Sequence, residues 1–444
     1  MKKLMKFKNN RFLLSIITAV FLIVFSFSVG VDRKDKGEAL FDEQALWNQN
    51  ISEYLKFDLW ENGENYDAAN VLMIPMYAAF YSQDDAGLRE FSEHFRRFAE
   101  SDDKSFAESE PSDDLSKQQY QYLASRFLAL AVQAGREDLI PAQMVEKLQE
   151  GIAILWQDKP AWWYGRDPFL GGMRERIIWK LGQSDNMKPS YYRAIIDQEM
   201  FLFASAADMR IYEIESGAAQ SQLISEILDY AYLVIARYGK SVENNGWLFQ
   251  PGLWEDHGDC AYAGNFEINN RIKPAPIVGI AEDSSHSHRW PVWLQSLIDA
   301  SRLDRERYDF YFGLREKLEN QFFNKVLVSP SNDFSCYRMN NFMDGNNGVY
   351  RYGYPTQGNN NGYGPYELSG TLIGGWWGLF GTERNNEVYR NMAKCFPLAK
   401  NVLRVYVGPN TTRPRNELVK WPNFFQNGFA QLNVNLASRI RLYE

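Results

Sequence analysis

Residues 120–155, YQYLASRFLALAVQAGREDLIPAQMVEKLQEGIAIL, decide the fold class. Tyr120, Leu123, Phe127, Leu130 and Ala131 recur at three- and four-residue intervals, which line one face of an α-helix. Met144, Val145, Leu148, Ile152 and Leu155 repeat that period. Between the two runs, Gly135 is a helix stop and Pro141 a helix start. The segment reads as a helical hairpin, and each of its helices has a stripe to bury against further helices.

The same signature extends through the chain. Tyr66–Phe80 is helical, with Pro75 expected to kink or break it. A second helix covers Gly87–Glu100; its His94, among Glu93, Arg96 and Arg97, reads as part of a solvated face. Ser101–Ser116, rich in Asp, Glu and Ser, is a solvated loop. Further helices are expected over 173–182, 190–215, 220–238, 305–324, 368–380 and 383–395. Another has a face marked by Trp290, Trp293, Leu294, Leu297 and Ile298, with Pro291 suited to its first turn. Ser329–Leu368 is instead dominated by Gly, Asn and Tyr, and a loop of that length inside a domain is a candidate for function. Val402–Val407 and Gln431–Asn435 read as short strands.

Neither a βαβ alternation nor a strict repeat is present. The reading is a mainly α protein, an (α/α) toroid of paired helices around a central cleft over residues 66–400. It carries long aromatic-rich loops and a few short strands near the C-terminus. Residues 32–65 would connect, with Trp47, Tyr54 and Trp60 as docking points, and 401–444 would pack on the toroid.

A chain of 444 residues with 45% hydrophobic content can bury a large core. The net charge of -8, with no basic tract beyond the N-terminus, argues against a nucleic-acid partner. Three cysteines (Cys260, Cys336, Cys395) allow one disulfide at most and form no thiolate metal motif. Lys2, Lys3, Lys6, Lys8 and Arg11 precede an apolar run from Phe12 to Val31. Residues 1–31 therefore read as a signal peptide cut after Ser28 or as an anchor in the cytoplasmic membrane. Either way the rest of the chain is expected beyond that membrane, as a periplasmic, secreted or membrane-anchored protein.

Three of the four histidines (His257, His286 and His288) fall between Trp254 and Trp293, beside Glu255, Asp256, Asp259, Glu282, Asp283 and Arg289. Imidazoles concentrated beside carboxylates suit proton transfer. The catalytic candidates are His257, Tyr262, His286, His288, Arg289, Asp256 and Asp283. The substrate-binding candidates are Trp162, Trp163, Asn265, Glu282, Trp290, Arg338, Tyr350 and Tyr354. No cofactor is expected, although His257, Asp259, His286 and His288 could ligate a divalent metal such as zinc.

The Tyr66–Phe80 helix, the Trp162-Trp163-Tyr164 loop and the Asn265, His286, His288, Arg289, Trp290 constellation, in a chain of paired helices, resemble the (α/α)-toroid enzymes that process polysaccharides, both lyases and glycoside hydrolases. Toroidal alginate lyases have an Asn-Asn-His-Ser-Tyr-Trp run where this chain has Ser285-His-Ser-His-Arg-Trp, so no residue role is carried over. The resemblance implies a polysaccharide substrate. On the lyase reading, His257 or His286 removes the C5 proton of a uronate, Tyr262 is the acid, and Asn265 with Arg289 neutralises the carboxylate. A hydrolase would use two carboxyl groups from Asp256, Asp259, Glu282, Asp283 and Glu367. The lyase residues would equally serve a uronate epimerase, and the aromatic loops would equally serve a non-catalytic glycan-binding or assembly protein.

Overall fold

The computed structural model describes residues 41–61, 63–101, 114–164, 167–409 and 415–442. The expected export segment, 1–31, lies outside the described residues. Among those described, no helix is long and apolar enough to cross a membrane.

The protein is mainly helical. Four helices are buried on nearly every side: α1 (Glu64–Ser82), α3 (Asp114–Gln133), α6 (Asp197–Ser216) and α8 (Trp290–Ala300). Each precedes a helix buried along a narrower face: α2 (Asp85–Glu100), α4 (Met144–Ala153), α7 (Gln222–Tyr238) and α9 (Arg305–Gln321). Helix α5 (Gly172–Gly182) lies between α4 and α6 in sequence. The chain ends in α10 (Glu383–Ala393), α11 (Lys400–Val407) and α12 (Phe429–Ala437). An all-round apolar helix needs neighbours on every side, whereas a striped helix can face water.

The buried helices are neighbours in a closed order. Helix α1 packs on α3, α3 on α6, and α6 on α8. Helix α8 packs on the turn Trp376–Phe380, which meets α12, and α12 returns to α1. Their side-chain pairs advance together. Asn70 bonds Gln119 at 3.2 Å, and Phe80 meets Phe127 at 5.5 Å between centroids. Tyr122 meets Phe201 at 5.8 Å, and Arg126 meets Asp208 at 2.7 Å. Phe201 meets Trp293 at 5.1 Å, while Arg126 also reaches Asp299 at 2.7 Å. The four helices therefore run parallel, and their N-termini share one end.

Pro75 does not break α1, which runs unbroken from Glu64 to Ser82. Proline at 75 cannot bond the carbonyl of residue 71. Asn433 Nδ2, from α12, donates to Val71 O at 3.1 Å instead. His94 is not on a solvated face. It is buried, with Nδ1 2.8 Å from Leu55 O and Nε2 2.8 Å from Tyr120 Oη. Burial pushes its pKa down to about 3, so it is a neutral clasp on the preceding segment. From Glu43 onward, the segment expected as a connection belongs to the same compact unit, with Trp47, Tyr54 and Trp60 buried in the core.

The strands expected in the tail are the helices α11 and α12. The actual pairs are antiparallel, β1 (Gly239–Val242) with β2 (Gly246–Phe249), and β3 (Leu327–Val328) with β4 (Arg338–Met339). The expected 368–380 helix is two 3-10 turns, Ser369–Gly374 and Trp376–Phe380, parted at Gly375 with φ of 82°. The expected 190–215 helix also breaks: a 3-10 turn, Ser190–Arg193, precedes extended residues, and α6 begins at Asp197. Glu199 Oε2 accepts the Ile196 N–H at 2.6 Å, and Gln250 Oε1 accepts the Ile195 N–H at 2.8 Å, which fixes that entry. Cys336 and Cys395 form a disulfide that ties the Gly- and Tyr-rich loop to the end of α10.

Asn433→Ala is expected to lower the unfolding free energy by about 1–3 kcal/mol, by leaving the Val71 carbonyl buried and unbonded. In a Pro75→Ala background the restored N–H can take that carbonyl, and the loss should fall below about 1 kcal/mol. Equal losses in both backgrounds, measured by urea unfolding, would refute the pairing.

Candidate functional site

Because the buried helices are parallel, the residues at their N-termini gather at one end. Helix α1 brings Tyr66, α6 brings Asp197, and the turn before α8 brings Asp283, His286, His288 and Arg289. Asp283 is buried and caps the short helix Ser284–Ser287. Its Oδ1 accepts from the Ser285 and His286 N–H groups at 3.0 and 3.1 Å. Its Oδ2 accepts from His286 Nδ1 at 2.7 Å. This leaves His286 Nε2 for a substrate; the side chain retains 28% exposure.

Burial alone would raise the Asp283 carboxyl pKa, but the His286 imidazole beside it holds that pKa well below the carboxylate range. Burial opposes charge on His286, yet the Asp283 carboxylate, then Asp197, raise its pKa above 6.5. A base held by a carboxylate on its far nitrogen is the arrangement of general-base catalysis.

Arg289 is buried and committed. It pairs with Asp197, lies 3.4 Å from Tyr66 Oη, and stacks over Phe201 at 5.4 Å. His288 is buried too, with Nδ1 on Ser285 O and its ring 5.2 Å from Trp376. Burial, then the Arg289 charge, push its pKa well below 6.5. Its ring is packed in the core against Trp376.

His257 stands in an aromatic wall, with ring centroids 4.8 Å from Tyr191, 5.3 Å from Trp254 and 5.8 Å from Tyr164. Its Nδ1 accepts the Asp259 N–H at 3.2 Å, and burial lowers its pKa. Trp162, 40% exposed, extends the wall through Tyr164 at 4.7 Å. Asp259 joins this wall to the Tyr-rich loop, since Arg351 Nε donates to its Oδ2 at 2.8 Å. The Arg351 guanidinium lies over Tyr350 and Tyr354, and Tyr350 lies 6.4 Å from the His286 ring.

The remaining candidates are elsewhere or already engaged. Trp163 and Trp290 are core residues. Tyr262 packs on Tyr352 at 4.6 Å, and Asn265 Nδ2 donates to the Tyr262 and Lys273 carbonyls. Asp256 accepts from the Ser190 N–H and Oγ at 2.7 and 2.6 Å. Arg338 lies between Phe334 and Tyr366. Glu282 is bonded by Gln250 Nε2 at 2.6 Å, and burial raises its pKa to about 7. It lines a cavity of about 10 Å³ with Ser287 and Trp290. The expected zinc set does not assemble: among the described residues no group of three or more His, Cys, Asp or Glu is placed to hold a metal ion.

Sequence reading did not single out Tyr66, Asp197 or Arg351; the structure places Tyr66 and Asp197 against Arg289, and Arg351 against Asp259. Asp197 was hidden because the helix appeared to start at 190, and only the helix order brings Tyr66 to it. Arg351 carried a signal in its Tyr350-Arg-Tyr setting. Comparison with protein families, curated proteins and solved structures finds no match to this chain.

Of the four histidines, only His286 is expected to titrate above pH 6.5. Asp283→Asn should move that midpoint downward, because the carboxylate that favours the imidazolium is gone. Proton NMR titration of the ring resonances checks both points, and an unmoved midpoint would disprove the coupling.

Proposed function

We propose that this chain is an exported (α/α)-toroid enzyme that cleaves an acidic, uronate-containing polysaccharide by β-elimination. The observation carrying the reading is the Asp283–His286 pair, with Nδ1 held at 2.7 Å and Nε2 left for substrate. The closed order of parallel helices supports the toroid. The Cys336–Cys395 disulfide fits an oxidising compartment and supports export, with residues 1–31 as signal or membrane anchor.

In this mechanism neutral His286 takes the C5 proton through Nε2. The C5–H electron pair becomes the C4–C5 double bond, and the C4–O bond breaks with its pair on the leaving oxygen. Tyr66 gives that oxygen a proton, and the Arg289 guanidinium at 3.4 Å steadies the resulting phenolate. The imidazolium then returns a proton to Tyr66 through solvent. Tyr66 replaces Tyr262 as the acid, because Tyr262 is turned to Tyr352. The aromatic wall from Trp162 to Tyr191 offers faces for sugar rings.

The hydrolase reading is weaker because its five carboxyl groups are engaged: Asp256 by Ser190, Asp259 by Arg351, Asp283 by His286, Glu282 by Gln250 and Glu367 by the Gly364 N–H. An epimerase would use the same base.

Incubation with uronate polymers is expected to raise reducing ends and the ultraviolet absorbance of the unsaturated product together. His286→Ala should cut the rate by about 10²–10⁴-fold. The value of kcat/KM should rise with pH through an ionisation above 6.5, as His286 loses its proton. Reducing ends without absorbance would replace elimination by hydrolysis. Deuterium exchange at C5 without cleavage would indicate an epimerase, and binding alone a glycan-binding protein.

A further inference from the structure

The elimination needs a cation on the substrate carboxylate, since an ionised carboxylate makes the neighbouring C5 proton poorly acidic. The two groups expected for this are both spent. Arg289 is only 2% exposed in its side chain and is paired with Asp197, and the Asn265 amide is held by backbone carbonyls. We infer that Arg351 is the carboxylate-binding, specificity-determining residue of this cleft, and that the unit it selects is an anionic sugar lying between the His257 wall and His286. The inference rests on the reading of the cleft as a polysaccharide site.

Four features of Arg351 carry it. Its Nε is anchored on Asp259 Oδ2 at 2.8 Å, which fixes the guanidinium plane without using the terminal nitrogens. Among the described residues those terminal nitrogens donate to no protein acceptor, and the side chain is 26% exposed. Two parallel N–H groups so presented match the two oxygens of a carboxylate.

The guanidinium is also held over two rings, at 5.2 Å from Tyr350 and 4.7 Å from Tyr354. Tyr350 in turn meets the His286 ring edge-on at 6.4 Å, so one aromatic ring separates the cation from the base. Finally, Arg351 has φ of 54°, a left-handed backbone that favours glycine, held by its N–H on Asp259 O at 2.9 Å. Strain at a non-glycine residue persists where surrounding contacts over-determine it. The cation's field reaches both histidines, as its lowering effect on each pKa shows.

The test compares binding of two ligands by calorimetry to the full chain carrying His286→Gln, so that turnover does not consume them. One ligand is an oligomer of 1,4-linked uronic acid; the other is the same oligomer with its carboxyls reduced to alcohols. Adding Arg351→Met is expected to weaken uronate binding about 10–100-fold and leave the neutral oligomer unchanged. Arg351→Lys keeps the charge without the fork and should still lose about fivefold or more. It also serves as the test if the methionine variant does not fold. Uronate binding undiminished in both variants overturns the role of Arg351 and leaves the elimination reading standing if His286→Ala remains inactive. Equal weakening for both oligomers also overturns it, since the carboxylate is then not what Arg351 recognises. If neither oligomer binds before Arg351 is changed, the polysaccharide reading itself fails.

Discussion

The buried guanidinium of Arg126 ties three helices into one register. It bonds Asp208 of α6 and Asp299 of α8 at 2.7 Å each, and Ser296 Oγ at 2.8 Å. A buried charge is tolerated only where partners replace its water, and removing one partner of such a group costs about 3–5 kcal/mol. Sliding α3 against α6 or α8 would strand that charge. The hub thus sets the relative heights of α3, α6 and α8, and with them the approach of Asp197, at the start of α6, to Arg289, at the start of α8.

At that end, charge is distributed by pairing. Asp197 is assigned to Arg289, Asp259 to Arg351 and Asp283 to His286. Environment then separates groups of the same type. His286 is raised by its carboxylate neighbours, whereas His257 and His288 are lowered chiefly by burial. Asp283 is depressed although buried, while its neighbour Glu282 is raised to about 7. Neighbouring titratable groups pushed in opposite directions are what acid–base chemistry needs. Among the described residues, no protein group bonds His286 Nε2, and the terminal nitrogens of Arg351 donate to no protein acceptor.

Local mistakes in the sequence reading share a cause. Pro75 should interrupt a helix, and does so unless another group bonds the vacated carbonyl; Asn433, distant in sequence, supplies it. His94 sits among charges in sequence, yet Leu55 O and Tyr120 Oη meet both ring nitrogens, so it can be buried neutral. In each case a long-range hydrogen bond overrides a local preference.

The sequence by itself determined that the chain is mainly helical, because a 3.6-residue apolar period survives any tertiary arrangement. It also marked the candidate region, because histidines and carboxylates crowd 254–293. Only the tertiary structure decided how each of those residues is buried and partnered. Whether a histidine is a base or a packing group depends on its burial and the partner of each ring nitrogen. His286 and His288 are two residues apart, and their environments differ completely. Likewise Arg289 and Arg351 are indistinguishable as letters; the fold closes Asp197 and Tyr66 around one and leaves the donors of the other open.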